Sequence, residues 1–141
     1  MSENRVTEND EYWHIPFDNG LIDTIKFDYA ITIEVTDGDY RLGVRIENDL
    51  EITNDNFVTK INYGNPQGAE TLLRLLHLKV TEIYVYKSGV VEIRIEHNLR
   101  LTVKPHIEQL YEAWQLGGTG GLLMVCTPYG EVAYWSSLSK D

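Results

Sequence analysis

The chain has 141 residues, of which 43% are hydrophobic and 24% are charged. This length and composition are typical of one globular domain with a substantial core, so we expect residues 1–141 to form a single domain. No apolar run approaches the roughly 20 residues that cross a bilayer, and the polar start of the chain lacks the features of a secretory signal. One cysteine excludes an internal disulfide, and we expect a cytoplasmic protein without a membrane partner.

The charge of the chain is its most informative overall property. It has 22 Asp and Glu against 12 Lys and Arg, which gives a formal net charge of -10. Residues 1–60 hold 14 acidic and 5 basic side chains, whereas residues 61–141 hold 8 and 7. Such a field repels nucleic acid and attracts a basic protein, so we expect a protein partner and no nucleic acid. An acidic surface that only confers solubility is the alternative.

The first half of the chain reads as a series of strands. Residues 1–13 are polar and are interpreted as a loose lead-in, and Asp18-Asn19-Gly20 is a turn signal. Apolar and polar residues then alternate, as in strands with one buried face. Asp37-Gly38-Asp39 is predicted to be a hairpin turn. Strands are predicted at residues 21–27, 30–36, 41–47, 50–53 and 57–62.

The hydrophobic period changes after residue 64. Asn65-Pro66 offers a helix N-cap followed by proline, and leucines at helical spacing follow, which predicts one short amphipathic helix over residues 66–76. The strand pattern then returns, with strands predicted at residues 79–87, 90–96, 99–104, 111–116, 122–127 and 131–135. We therefore expect an α+β fold, a mostly antiparallel β-sheet of about ten strands with the helix packed on a sheet face.

The last third of the chain holds a distinctive apolar strand between two turns. Leu122-Leu123-Met124-Val125-Cys126 is apolar at every position, which predicts a central strand covered on both sides. Tight turns are predicted at residues 117–121, where glycine accepts positive φ, and at residues 127–130, where Pro128 fixes φ. This stretch predicts structure and carries no obvious chemistry.

The sequence contains no pattern that predicts catalysis or metal binding. The histidines lack the spacing of zinc ligands, and no Gly-x-Ser-x-Gly motif frames a nucleophile. Cys126 lies in the apolar strand, where an inert core thiol is the expected role. We therefore expect no catalytic residues, no metal and no cofactor, and a protein that is not an enzyme.

Two groups of side chains are candidates for partner binding. The acidic side chains of the first strands map to outward positions or turns, and consecutive hairpins would bring them onto one exposed face that attracts a cationic partner. These residues are Glu34, Asp37, Asp39, Glu47, Asp49, Glu51 and Asp55. Tyr84 and Tyr86 line one face of their strand, which predicts a partner-binding patch or a second buried layer under the helix. A solvated acidic face without a partner is the alternative for the acidic set.

The C-terminal half of the chain resembles a family of small bacterial proteins. The resemblance covers roughly residues 65–135, and the chain departs from the family pattern at Tyr129, where the pattern prefers Gly. It is carried by Tyr111-Glu112-Ala113-Trp114-Gln115-Leu116, a Gly-rich turn, Val125-Cys126 and Pro128-Tyr129-Gly130-Glu131-Val132-Ala133-Tyr134-Trp135. Some members of this family look like immunity proteins of bacterial polymorphic toxin systems, including the one that protects against the wall-associated Rhs-repeat tRNA nuclease toxin.

The resemblance implies a protein that binds and neutralises a cognate toxin domain, often a nuclease, and it implies no catalytic residues. Together with the charge, it predicts an immunity protein that binds a basic nuclease domain through its acidic surface. One alternative is a small-ligand-binding or enzymatic domain with a tyrosine-lined pocket. Another is a structural subunit of an unrelated complex.

Overall fold

The computed structural model describes residues 5–62, 67–106 and 112–136. These residues form a twelve-stranded antiparallel β-sheet with little helix, so the mostly antiparallel prediction is confirmed and the predicted number of strands is slightly low. The strands are β1 (Thr7–Glu8), β2 (Tyr12–Phe27), β3 (Ile31–Asp37), β4 (Tyr40–Ile46), β5 (Leu50–Thr53), β6 (Val58–Ile61), β7 (Lys79–Tyr86), β8 (Val91–Ile95), β9 (Leu99–Val103), β10 (Trp114–Gly118), β11 (Leu122–Cys126) and β12 (Val132–Trp135).

The order of the strands in the sheet differs from their order in the chain. It runs β12-β11-β10-β4-β3-β2-β7-β8-β9-β5-β6, and β1 pairs with β2. Consecutive strands β4 and β5 are therefore separated in the sheet by β3, β2, β7, β8 and β9. The hairpin turn at residues 37–39 is as predicted, with positive φ at Gly38, and a second hairpin turn at residues 97–98 has positive φ at His97 and Asn98.

Strand β2 joins the two halves of the sheet. Its residues 12–21 pair with β7 and its residues 21–27 pair with β3. The register shifts between Pro16 and Gly20 and again between Ile22 and Thr24, and such bulges bend a strand and increase its twist. The predicted turn at Asp18-Asn19-Gly20 is wrong, because these polar residues form the bulge within one long strand.

The N-terminal segment is part of the sheet where the structure describes it. Thr7 and Glu8 pair with His14 and Trp13, and Trp13 is buried. The interpretation of residues 1–13 as a loose lead-in is therefore wrong for residues 5–13. The local composition is polar, but the pairing partner in β2 lies only a few residues further along the chain.

One face of the sheet holds the hydrophobic core. In β3, Ile31, Ile33 and Val35 are almost completely buried, whereas Thr32 and Glu34 between them are only half-buried. The same alternation runs through β4, β7 and β8. Because successive side chains point to opposite sides of a strand, the sheet has a core-facing side and an outward face. Each large aliphatic side chain buried on the core-facing side contributes about 1.5–3 kcal/mol of transfer free energy.

The sheet curls so that its two halves meet over the core. Trp114 in β10 donates a 2.8 Å hydrogen bond from Nε1 to the carbonyl oxygen of Gly89, in the turn between β7 and β8. The turn at residues 128–130 packs on the same place, since a Cβ at Gly89 would lie 2.6 Å from the Gly130 oxygen. Trp13 and Tyr134 also meet across the halves, with ring centroids 5.9 Å apart.

The helix, α1, is shorter than predicted. It spans Ala69–Leu73 and begins after Gly68, whose φ is 90°. The predicted N-cap at Asn65-Pro66 lies outside the described residues. Leu72 and Leu75 belong to the core, which confirms the apolar face of the predicted segment. No helix in the described ranges is long and apolar enough to cross a membrane.

Strand β10 begins later than predicted, and strand β11 is less covered than predicted. Strand β10 starts at Trp114, and residues 107–111, which include the first residue of the predicted strand, lie outside the described ranges. Strand β11 lies between β10 and β12, as expected of a central strand. Its outward face is only partly covered, because Val125 is buried but Leu123 is 37% exposed.

Candidate functional site

The outward face of β2, β7 and β8 carries a cluster of aromatic and charged side chains, which we call the tyrosine patch. Strand alternation buries Ile83 and Val85 and so directs their neighbours outward. The antiparallel register then places side chains of β2 and β8 beside those of β7. The members of the patch are Tyr12, His14, Glu82, Tyr84, Tyr86, Glu92 and Arg94.

Three tyrosine rings of the patch contact one another. Tyr12 lies directly opposite Tyr86, and its ring stands edge to face with Tyr84 (centroids 5.0 Å apart, planes at 83°) and with Tyr86 (5.9 Å, 74°). The rings of Tyr84 and Tyr86 are stacked, with centroids 6.0 Å apart and planes at 19°. All three residues are half-buried. Such edge-to-face and offset arrangements are favourable for aromatic pairs, so the rings hold each other in place.

Charged side chains fix the rings further. The Arg94 guanidinium lies over the Tyr84 ring, 4.4 Å from its centroid, and its Nε donates a 2.6 Å hydrogen bond to Glu92. Arg94 Nη1 lies 3.6 Å from Glu82. Glu82 Oε1 accepts a 3.1 Å hydrogen bond from the Tyr84 hydroxyl and lies 2.8 Å from His14 Nε2. The patch is therefore a connected network in which charges of opposite sign are matched.

The ionisation of the patch follows from these contacts. Burial alone would raise the pKa of Glu82, but hydrogen bonds from His14 and Tyr84 and the nearby Arg94 charge lower it below its usual value. Burial, together with the hydrogen bond to Glu82 and its charge, raises the pKa of Tyr84. Burial and the charge of Glu92 raise the pKa of Tyr86. At neutral pH Tyr84 and Tyr86 are therefore protonated and Glu82 is ionised.

The seven predicted acidic residues do not share one face built from consecutive hairpins. Glu34, Asp37, Asp39 and Glu47 lie on β3 and β4 or at their ends, whereas Asp49, Glu51 and Asp55 lie on β5 or at its ends. The prediction assumed that strands consecutive in the chain pair with each other. In the sheet, β10 occupies the free edge of β4 and β9 occupies that of β5, so the two acidic groups belong to different parts of the sheet.

Most of these acidic side chains already have a cationic neighbour. The ion pairs are Asp37–Arg5 (2.6 Å), Glu34–Lys26 (3.6 Å), Glu47–Arg45 (3.4 Å) and Glu51–Lys60 (3.8 Å). Asp39, Asp49 and Asp55 are exposed, and the described part of the chain contains no ion pair to them. Asp55 accepts a 3.2 Å hydrogen bond from Asn98. Of the seven predicted residues, these three therefore keep a charge that no ion pair in the described part of the chain compensates.

Asp37 is a structural residue, which corrects its prediction as an outward docking residue. It continues the core-facing alternation of Ile33 and Val35 and is only 8% exposed. Its carboxylate accepts hydrogen bonds from Arg5 and from the backbone N–H of Asp18 in the β2 bulge. Burial alone would raise the pKa of Asp37, but these hydrogen bonds, with one from the Asn19 backbone, lower it.

Sequence reasoning found Tyr84 and Tyr86 but missed the residues that surround them. Tyr12 and His14 alternate with the buried Trp13 and Ile15, so the strand period was present in a segment interpreted as a lead-in. Arg94 and the two glutamates have no local signal, because their role depends on cross-strand register. The alternative of a second buried layer is wrong, since α1 packs on the core-facing side and the tyrosines are half-exposed.

Outside the tyrosine patch, the cysteine, the potential metal ligands and the predicted pocket were the remaining candidates for chemistry. Cys126 is buried, and burial with the nearby Glu112 charge raises the pKa of its thiol to about 11, so the thiol is unreactive in the folded protein. Within residues 5–62, 67–106 and 112–136, no three His, Cys, Asp or Glu side chains are placed to hold a metal ion. The alternative prediction was a tyrosine-lined pocket beneath the strand. The buried core residues Ile83 and Val85 lie at that position, behind the tyrosines.

The fold and the patch together define a curled antiparallel β-sheet domain with a cluster of aromatic side chains on its outward face. The chain belongs to DUF6188, a family of unknown function, whose model matches residues 13–136. The matched range contains every member of the tyrosine patch except Tyr12. No curated protein and no solved structure matches the chain.

Proposed function

We propose that this protein is a cytoplasmic immunity protein that binds and neutralises a cognate toxin domain through its tyrosine patch. The observation that carries the proposal is the outward cluster of Tyr12, Tyr84 and Tyr86 held in contact with Arg94. Tyrosine and arginine are enriched among the residues that dominate protein–protein binding energy. The resemblance of residues 65–135 to a family with immunity-protein-like members supports a toxin as the partner.

The patch is suited to tight binding because its side chains are already ordered. Immobilising a flexible side chain at an interface costs about 0.5–1.5 kcal/mol, and rings fixed by neighbours avoid most of that loss. In the patch, Arg94 is held by Glu92 and Tyr84 by Glu82 before any partner arrives. A partner can therefore bury these rings without ordering them first.

The net charge of -10 supports a basic partner such as a nuclease domain. The exposed carboxylates of Asp39, Asp49 and Asp55 supply charge for electrostatic steering, because the other predicted acidic residues are paired within the protein. An acidic inhibitor offers a nuclease the same sign of charge as its phosphate substrate. In this proposal the acidic residues accelerate encounter and the tyrosines determine how long the complex lasts.

Co-expression with a toxin domain tests the proposal directly. The domain to co-express is the C-terminal domain of the protein encoded immediately upstream, and the readouts are rescue of growth and co-purification. We expect wild-type protein to rescue growth and Tyr86→Ala to weaken binding at least tenfold, as removal of a central aromatic anchor does. Tyr29→Ala is the matched control, because Tyr29 is 92% exposed in the β2–β3 turn.

Two results separate binding from folding. Both variants should remain cooperatively folded at the temperature of the binding assay, so that a loss of binding reflects the surface. If wild-type protein neither rescues growth nor co-purifies with the domain, the proposed function is wrong. If Tyr86→Ala binds as well as Tyr29→Ala does, the partner docks elsewhere on the molecule.

The steering role has its own test. The triple variant Asp39→Asn, Asp49→Asn, Asp55→Asn should slow association roughly tenfold at low salt and leave dissociation unchanged. The difference should largely disappear at 1 M salt, where the Debye length is about 3 Å. Asp37 is kept intact because its loss would destabilise the fold. Association rates that do not change at low salt would exclude steering by these residues.

A further inference from the structure

We propose that the rings of Tyr12 and Tyr86 bind a lysine or arginine side chain of the partner. This inference rests on the proposed function and specifies the chemistry by which the basic partner is anchored. A cation near the face of a tyrosine is attracted by the negative potential of the ring. The inference follows from which rings of the patch already hold a cation and which do not.

The protein itself shows that its aromatic rings hold cations. Arg94 lies 4.4 Å from the Tyr84 ring centroid, Lys87 lies 4.2 Å from the Trp13 centroid, and Arg5 lies 4.3 Å from the Tyr40 centroid. The first of these contacts is within the tyrosine patch. One tyrosine of the patch, Tyr84, therefore already binds a guanidinium group, and the rings of Tyr12 and Tyr86 lie beside it.

Tyr12 and Tyr86 are the tyrosines of the patch for which the structure describes no cation over the ring. Both are half-buried, so part of each ring still faces solvent. The planes of the two rings meet at 74° with centroids 5.9 Å apart, so the rings form a corner. A cation in this corner approaches both rings. Half-burial has removed part of the water that would otherwise compete for the cation, which strengthens such contacts.

The charges around this corner favour a cation. Arg94, which also donates a hydrogen bond to the Tyr86 hydroxyl, is matched by Glu92 and Glu82, so it does not leave the patch positive. Lys87 is matched by Glu8, with which it forms a close ion pair. Asp10 and Glu11 precede Tyr12 in the chain and are exposed, and no ion pair to them is described in the structure. The rim beside Tyr12 therefore carries uncompensated negative charge.

Fluorinated phenylalanines at residue 12 or 86 test this inference, because fluorine withdraws electron density from the ring and changes its shape little. The upstream toxin domain is the probe, and its Kd for each variant is the measurement. We expect the Kd to rise with each fluorine added to a phenylalanine at the same position, to roughly tenfold for the most fluorinated ring relative to unsubstituted phenylalanine. The same series at Tyr29 should leave the Kd unchanged.

The possible outcomes distinguish this inference from the proposed function. If Tyr86→Ala weakens binding but fluorination at both positions does not, the partner contributes an apolar group and the inference is wrong while the proposed function stands. If wild-type protein does not bind the toxin domain, both are wrong. A graded loss at residue 12 or 86, with unchanged unfolding temperature and no effect at residue 29, supports the inference.

Discussion

The Arg5 guanidinium donates a 2.6 Å hydrogen bond to the carboxylate of Asp37, which lies 32 residues further along the chain. The same carboxylate accepts a 2.9 Å hydrogen bond from the backbone N–H of Asp18, in the bulge of β2. Arg5 also lies over the ring of Tyr40, in the next strand. One buried carboxylate thus connects the N-terminal segment, the bulge and the end of β3.

Replacing this carboxylate should destabilise the protein. We expect Asp37→Asn to lower the free energy of unfolding by roughly 2–3 kcal/mol, because it weakens charge-assisted hydrogen bonds and leaves buried donors poorly paired. Urea unfolding of the purified protein measures the change. Asp39→Asn is the control, since Asp39 is exposed two residues away and should change stability by less than about 0.5 kcal/mol. Equal effects of the two substitutions would contradict the role assigned to Asp37.

The same residue predicts how stability depends on pH. The folded protein holds the pKa of Asp37 below its ordinary value of 3.8, so ionised Asp37 stabilises the fold at any pH above that value. This contribution is lost as the pH falls from 3.8 through the lower pKa of the folded state. We expect the stability difference between wild type and Asp37→Asn to shrink over that interval in denaturant titrations. A difference that is constant down to pH 2 would contradict this linkage.

Tyr129 is strained, and glycine there should stabilise the protein. Tyr129 has φ 75° at the third position of the turn at residues 127–130, which Gly130 N closes with a 3.0 Å hydrogen bond to Thr127 O. Side chains other than glycine disfavour this conformation by roughly 1–2 kcal/mol, partly offset by the greater freedom of glycine in the unfolded chain. We expect Tyr129→Gly to raise the free energy of unfolding by about 1 kcal/mol.

A gain in Tyr129→Gly could come from relief of the strained backbone or from removal of the exposed ring, and Tyr129→Ala separates these two explanations. Alanine keeps the strained φ and removes only the ring, which is 69% exposed. Its stability in thermal unfolding should therefore stay close to wild type. A gain of equal size in both variants would mean that the exposed ring, and not the backbone, is unfavourable.

The junction between the halves of the sheet should be intolerant of a methyl group. Gly89 and Gly38 both have positive φ, but a Cβ at Gly89 would meet the Gly130 oxygen at 2.6 Å, whereas nothing lies within 4 Å of one at Gly38. We expect Gly38→Ala to cost about 1–2 kcal/mol and Gly89→Ala to cost clearly more. Unfolding temperatures of the two variants measure the difference. Similar losses would show that the junction can relax.

Cys126 should report global unfolding. Its buried thiol, with a pKa raised to about 11, has little thiolate at neutral pH and is not accessible to reagents. We expect thiol-specific labelling at pH 7.5 to be slow in the native protein and to accelerate with urea in parallel with unfolding. Rapid labelling without denaturant would show that β11 opens locally.

The sequence predicted the local elements of this fold well, because each depends on a short period or a turn signal. Strands β3, β4, β7, β8 and β9 lie within a residue or two of their predicted positions. The neighbours of each strand could not be predicted in the same way. Nothing within β4 indicates that its free edge is covered by β10, which starts at Trp114. Which strand pairs with β4 depends on packing across the whole core.

The candidate site was predicted in part for the same reason. Tyr84 and Tyr86 belong to one strand, and their shared face follows from alternation alone. Arg94 enters the site through pairing of β8 with β7, and Tyr12 through pairing of β2 with β7. Asp37 was wrongly predicted to point outward, because an acidic side chain is expected at the surface unless a buried partner is known. Its partner Arg5 lies 32 residues away in the sequence.

The sharing of β2 between the halves has a consequence for cooperativity. Its sixteen residues give one ladder to β7 and another to β3 along a single uninterrupted backbone. Loss of either half would leave β2 with unpaired N–H and C=O groups beside the other half, so neither half is expected to persist alone. Calorimetry should therefore show one transition whose van't Hoff and calorimetric enthalpies agree. The two halves of this sheet would then melt as one unit.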